Sequence, residues 1–143
     1  WTAEDKANFD KRTKILEDHF STIEIVNGRC VNGEKTLGEN IGDNGGLNIS
    51  LRAMHNAMAD GTAAMMKDDK FTADQRFFLA YARIWASNNR EQYMDMLLNI
   101  DVHSPNVARV NGALPHIDAW YDAFNVKKSD KLYIPKKKRA RVW

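Results

Sequence analysis

The sequence has a single cysteine, Cys30, so no disulfide framework can brace it. No apolar run approaches the roughly 20 residues that a membrane-spanning helix needs. There is no internal repeat, no low-complexity linker and no series of alternating strands, which leaves a mainly α class. The chain opens at Trp1 with no initiator Met, no charged n-region and no apolar h-region, so no signal peptide is expected within it. Trp1 leads straight into a helix start, whereas ordinary domain edges are polar and frayed. The expectation is a piece cut from a longer protein.

What is present suits a globular core. The 143 residues are 43% hydrophobic and 28% charged, with 4 Trp, 6 Phe, 6 Met and 4 Tyr, a composition that excludes general disorder. The length is that of one ordinary domain. The net charge of +2 is unevenly spread. From Lys127 onward there are eight basic residues and one acid, a surplus of +7, against −5 for the rest. The chain is an acidic body with a basic tail over 127–143.

Helical periodicity places four helices at about 3–23, 36–59, 72–98 and 117–124. Thr2 caps the first, with Glu4 and Asp5 in its first turn. Thr36 with Glu39, and Thr72 with Gln75, have the spacing of capping boxes. Asn27-Gly28 and Asn32-Gly33 mark a small hairpin or loop near 25–33, and Asn111-Gly112 reads as another turn. Gly38, Gly42, Gly45 and Gly46 crowd the start of the second helix. Each interior glycine costs about 1 kcal/mol relative to alanine, so close approach of another backbone is the expected compensation.

Several residues could carry chemistry. Glu39 and Asp43 lie four apart on one helix face, where two carboxylates either await a cation or do separate work, Glu39 in the cap and Asp43 in solvent. His103 and Arg109 lie six residues apart in an irregular segment where Pro105 discourages helix at Ser104; they either converge to stabilise an oxyanion or are unrelated surface polars. Ile84 and Trp85 read most simply as core. His19, His55 and His116 share no spacing and read as surface or packed residues, and Cys30 as an incidental thiol. Pro135-Lys136-Lys137-Lys138-Arg139 has the look of a nucleic-acid or nuclear-localisation patch. It lacks the interleaved aromatics that stack bases, so it is read as a solvated tail whose last residues, Val142-Trp143, dock on the body, and no nucleic-acid partner is expected.

Ordered blocks across nearly the whole chain resemble the neprilysin and endothelin-converting-enzyme family of zinc metallopeptidases. Val31-Asn32-Gly33 followed by Thr36-Leu37-Gly38-Glu39-Asn40-Ile41-Gly42-Asp43-Asn44-Gly45-Gly46-Leu47 is similar to that family's VNG…TLGENIADxGGL signature. Gln75 to Ala82 with Trp85, then His103-Ser104-Pro105 with Arg109-Val110-Asn111-Gly112, and the ending Arg141-Val142-Trp143 resemble its later blocks in the same order.

The resemblance implies a fold, a chemistry and a role for each residue. The fold would be the C-terminal helical portion of a thermolysin-like catalytic domain of the gluzincin type. Glu39 would be the third protein ligand of a catalytic zinc, and Asp43 the carboxylate that orients a zinc-bound histidine. His103 would donate to the oxyanion, Arg109 would bind a substrate backbone carbonyl, and Ile84 and Trp85 would line an apolar pocket. The implied reaction is hydrolysis of short peptides by zinc-activated water. The family's H-E-x-x-H helix is absent, and no His-Glu pair occurs anywhere in the chain. One ligand cannot hold a three-ligand zinc site, so the chain alone is expected to be inactive and to need the upstream part of the same protein. Gly42 replaces a common alanine of the signature. The cysteines that secreted animal members carry near Ala86, Val126 and Ala140 are missing, which points to a bacterial-type member. The compartment is left open, with the cell envelope, periplasm or exterior favoured and the cytoplasm the alternative. The alternative is a non-catalytic binding or dimerisation module, in which the exposed apolar surface pairs two copies.

Overall fold

A computed structural model describes residues 1–61 and 70–142. The elements are α1 (Ala3–Phe20), β1 (Glu24–Val26), β2 (Arg29–Cys30), α2 (Leu37–Ala59), α3 (Ala73–Ile84), α4 (Glu91–Ile100), α5 (Asn106–Ala113) and α6 (Asp118–Phe124), with short 3-10 turns at Leu114–His116 and Lys136–Lys138. The fold is mainly α, as the periodicity implies.

Local chemistry sets most of the boundaries. At α1 the Asp5 N–H donates to Thr2 Oγ1 at 3.1 Å and the Thr2 N–H to Asp5 Oδ2 at 3.2 Å, closing a capping box. Thr72 and Gln75 do the same for α3. The first helix stops at Phe20, short of the expected residue 23. Ser21 Oγ donates to Glu17 O and Thr22 Oγ1 to His19 O, so two hydroxyls satisfy the end carbonyls and release the chain into the strand. Asn27 and Gly28 both have positive φ, 50° and 75°, the conformation that a tight antiparallel turn demands. They join β1 to β2 with Glu24 opposite Cys30 and Val26 opposite Arg29.

Three expectations are corrected. The helix expected over 72–98 is two, α3 and α4, parted at Trp85 to Arg90. Ser87, Asn88 and Asn89 favour local side-chain bonds over helix, and Asn89 Nδ2 donates to Ser87 Oγ at 2.9 Å. Asn111-Gly112 is no turn but lies within α5. The capping box of Thr36 and Glu39 does not form: Thr36 makes no side-chain cap and instead donates to Asn32 O at 2.9 Å.

The glycines also do different work from that expected. A Cβ at Gly38, Gly42 or Gly46 would meet nothing within 4 Å. The close approaches lie elsewhere. A Cβ on Gly33 would collide with the Glu17 carbonyl, and one on Gly112 would sit 2.6 Å from Phe20 Cζ. Small residues Ala108, Gly112 and Ala113 thus let α5 press between two apolar clusters. One cluster gathers Leu16, Phe20, Val31, Ala108, Ala140 and Val142. The other gathers Leu47, Leu51, Phe78, Ala113, Leu114 and Ile117.

The basic tail is exposed over 127–131 and 135–138 and docks on the body through its last described residues. Arg139 is buried, its guanidinium 3.3 Å from the Tyr121 ring centroid and its Nη1 2.8 Å from Asp118 Oδ1. Arg141 takes the other Asp118 oxygen at 2.7 Å. Ala140 N–H donates to His116 Nδ1 at 2.9 Å, and Ala140 and Val142 are buried. Trp143, the last residue of the expected docking segment, lies outside the described residues. His116, 4% exposed, must be neutral to accept that bond. Burial, with His19 and Arg139 adding to it, pushes its imidazole down to about 3.

Gly112→Ala should destabilise the chain by about 1–3 kcal/mol through overpacking, whereas Gly42→Ala should stabilise it by up to about 1 kcal/mol by helix propensity; thermal unfolding of the two variants should move in opposite directions. An unfolded histidine titrates near 6.5. Between that pH and about 3 the unfolded chain therefore holds a proton that folded His116 lacks, and stability falls as pH falls. Urea unfolding of wild type should weaken by up to about 1.4 kcal/mol per pH unit below 6.5 on this account. His116→Asn, which keeps an acceptor but cannot titrate, should flatten that dependence.

Candidate active site

The first two turns of α2 and the segment from Asp101 to Arg109 face each other. Glu39 and Asp43, one turn apart, sit on the same face of α2. Opposite them, Pro105 keeps Ser104 out of the helix and starts α5 just beyond it, with Arg109 on its first turn. Ser104 Oγ donates to Asn40 Oδ1 at 2.8 Å in a fully buried bond, which fixes the loop against α2. Asn40 in turn donates to Thr36 Oγ1 at 3.0 Å.

His103 meets Glu39, with Nε2 3.4 Å from Glu39 Oε2. Its other ring nitrogen is 2.7 Å from Asp101 Oδ1, and its backbone N–H donates to the same oxygen at 2.9 Å. These bonds, the backbone one foremost, hold the Asp101 carboxyl below the usual range. With Nδ1 donating to Asp101, Nε2 points its lone pair or its proton toward Glu39. Asp101 was not singled out from the sequence; its Asp-x-His spacing was the available signal.

Arg109 meets Asp43. Nε and Nη2 each donate to one carboxylate oxygen at 2.7 Å, a bidentate pair with side chains only 13% and 10% exposed. The Asp43 hydrogen bond raises the guanidinium's pKa further. The guanidinium carbon lies 3.9 Å from the centroid of the Trp85 ring, a cation–π contact. Tyr81 Oη donates to the Arg109 carbonyl at 3.1 Å, and burial followed by the Asp43 charge raises the Tyr81 phenol well above its ordinary value. Nothing in the spacing pointed to Tyr81.

Neither Ile84 nor Trp85 is core. Ile84 is 72% exposed, and Trp85 is half-buried beneath Arg109. Ile84 instead borders an apolar cleft of about 300 Å³ that also takes in Asp43, Leu47, Phe77 and Tyr81. His103 and Arg109 do not bond each other, but both reach the same face of α2. His55 pairs with Asp74 at 2.6 Å, and Cys30 is an exposed free thiol.

Glu39 has the donor chemistry of a zinc ligand: a half-exposed carboxylate, no longer used by a cap, facing a histidine. Among the described residues no group of three or more His, Cys, Asp or Glu could hold a metal ion. Glu39 fits as one ligand, and the others would have to come from outside this chain. Asp43 has both oxygens on Arg109 yet keeps free lone pairs, since a carboxylate offers about four acceptor sites.

Comparison with known proteins agrees with this arrangement of blocks. Residues 1–140 match the sequence model of peptidase family M13. Neprilysin of Homo sapiens is 32% identical over 146 aligned residues, covering all of this chain and 19% of that protein. A neutral endopeptidase of Lactococcus lactis is 32% identical over 143 residues, covering all of this chain and 21% of that protein. Among solved structures, the open state of the Mycobacterium tuberculosis zinc metalloprotease Zmp1 superposes with a TM-score of 0.91 at 34% identity, over 100% of this chain and 23% of that one. PepO of Lactobacillus rhamnosis gives 0.78 at 36% identity, over 97% and 20%. The chain spans about a fifth of the length of these relatives. It belongs to peptidase family M13.

Proposed function

We propose that this chain supplies one wall of the catalytic site of a zinc metalloendopeptidase acting on short peptides. The observation that carries this reading is the face of α2, on which Glu39 meets His103 and, one turn on, Asp43 meets Arg109. Bound zinc would contribute Lewis-acid activation of water and of the scissile carbonyl. Glu39 would be its ligand from this chain. The remaining ligands and the general base would come from an H-E-x-x-H helix outside this chain.

The chain's own residues then divide the work. His103, with Nδ1 donating to Asp101, can donate from Nε2 to an oxyanion only when both ring nitrogens carry protons, and the carboxylates of Glu39 and Asp101 flank that cation. Asp101 sets the ring orientation. Arg109 keeps Nη1 for a substrate carbonyl while Nε and Nη2 hold Asp43. Asp43 keeps acceptor sites for a histidine of the absent helix. The apolar cleft beside Ile84 and Tyr81 offers room for the side chain after the scissile bond. Trp85 fixes the guanidinium from below.

In a full-length enzyme that carries this segment, Glu39→Ala should abolish both zinc retention and peptide turnover. Metal analysis and a fluorogenic peptide assay check this, and unchanged zinc content with unchanged turnover would sink the assignment. His103→Gln should lower kcat about 10²- to 10³-fold with little change in KM, as loss of a donor used only in the transition state does. The 143-residue chain alone should bind zinc weakly and cleave nothing. Intact activity in the long protein after its upstream motif is disrupted would instead favour a non-catalytic module.

A further inference from the structure

The geometry points to Lys35 and Arg29 as positioning residues that hold the Asp101–His103 segment opposite Glu39. This inference rests on the reading that Glu39 and His103 act at one site.

α4 leads into that segment and is poorly anchored by packing. None of its side chains is fully buried, and Tyr93, Met96 and Ile100 are exposed. The element it lies most closely against is β1 of the hairpin. A helix that buries so little apolar area gains little hydrophobic anchoring. Polar ties from the hairpin side take its place. Arg29 Nη1 donates to the Asp95 carboxylate, and Nη2 donates to Asn99 Oδ1 at 2.7 Å. Lys35 Nζ donates to the Asn99 carbonyl at 2.7 Å. That carbonyl is in the last turn of α4, where unpaired C=O groups and the negative end of the helix dipole favour a cation.

The placement of these ties matters more than their number. Asn99 stands two residues before Asp101, and Lys35 stands four residues before Glu39. A single bond therefore joins the approach to the Glu39 helix with the approach to the His103 loop. Lys35 is itself fixed, because its backbone N–H donates to Asn32 Oδ1 at 2.9 Å. Its charge also acts on Asp101. On the other side of His103, Ser104 is bolted to Asn40. His103 is thus held to the start of α2 from both flanks, one tie exposed and one buried. Exposed charged ties contribute little to global stability, but displacing a reacting group by about 1 Å costs up to about 10²-fold in rate. The effect belongs in the rate and in local order, not in the fold.

The test uses a full-length enzyme carrying this segment, with Lys35→Met, the double variant Arg29→Met with Lys35→Met, and Lys35→Arg. The readouts are kcat and KM on a peptide, and hydrogen exchange at the Asp101 and His103 amides, which donate to Leu97 O and Asp101 Oδ1. Lys35→Met should speed exchange at those two amides about tenfold, with the α6 amides unchanged. It should lower kcat about tenfold with KM within about twofold. The double variant should go further, and Lys35→Arg should restore both readouts. Unchanged exchange at the two amides, or faster exchange with wild-type kcat, overturns the positioning role. Glu39→Ala separates the two readings: if it leaves zinc and turnover intact, the site reading itself has failed, whereas if it abolishes them while Lys35→Met is fully active, only the positioning role has.

Discussion

The bidentate pair between Asp43 and Arg109 is the constraint on which the rest of the described structure turns. Both side chains are largely withdrawn from water. Removing two charges from solvent costs several kcal/mol each unless geometry and further contacts compensate. Here both carboxylate oxygens are met at 2.7 Å, and the flat guanidinium lies on Trp85. Such a pair tolerates little displacement. It therefore fixes α5 against α2, and Tyr81, bonded to the Arg109 carbonyl, fixes α3 to the same point. Once α5 is placed, Pro105, Ser104 and His103 have little freedom left.

The surrounding packing makes that pair possible. α5 can approach α1 only because Gly112 has no side chain to strike Phe20. Its neighbours Ala108 and Ala113 are completely buried, one in each apolar cluster. The tail then joins the first of these clusters through Ala140 and Val142. Asp118 gathers Arg139 and Arg141, and His116 accepts the Ala140 N–H. The surplus of +7 that marks the last seventeen residues is thus partly spent within the fold, on one aspartate and one tyrosine ring.

How far the sequence could be read depended on how local the deciding interaction was. The cap at Thr2, the capping box at Thr72 and the Asn27-Gly28 turn each lie within three residues, and each was legible; that Asp5 closes the Thr2 cap into a box was not. Thr36 with Glu39 has the same spacing as the two real boxes, but Thr36 is drawn to Asn32 and Asn40. Asn111-Gly112 has the look of a turn, but packing against α1 holds it helical. Trp85 and Ile84 continue an apolar stripe, but the helix ends at Ile84 and leaves that residue in solvent. Only at Gly112 does a contact from elsewhere in the chain decide the outcome; at Thr36 a competing bond four residues away wins, and after Ile84 the local bonds of Ser87 and Asn89 do.

The sequence by itself determined the helical class, the one-face placement of Glu39 and Asp43, and the ordered blocks shared with peptidase family M13. These follow from a period of 3.6 residues and from the identity of neighbouring residues, which short-range sterics enforce. Only the tertiary structure decided which carboxylate meets which cation. Asp43 and Arg109 are 66 residues apart in the chain, as are Arg29 and Asp95, and Asn40 and Ser104 are 64 apart. Pairing over such separations is set by how the helices pack, because a buried charge or amide must find its partner wherever the packed core delivers one.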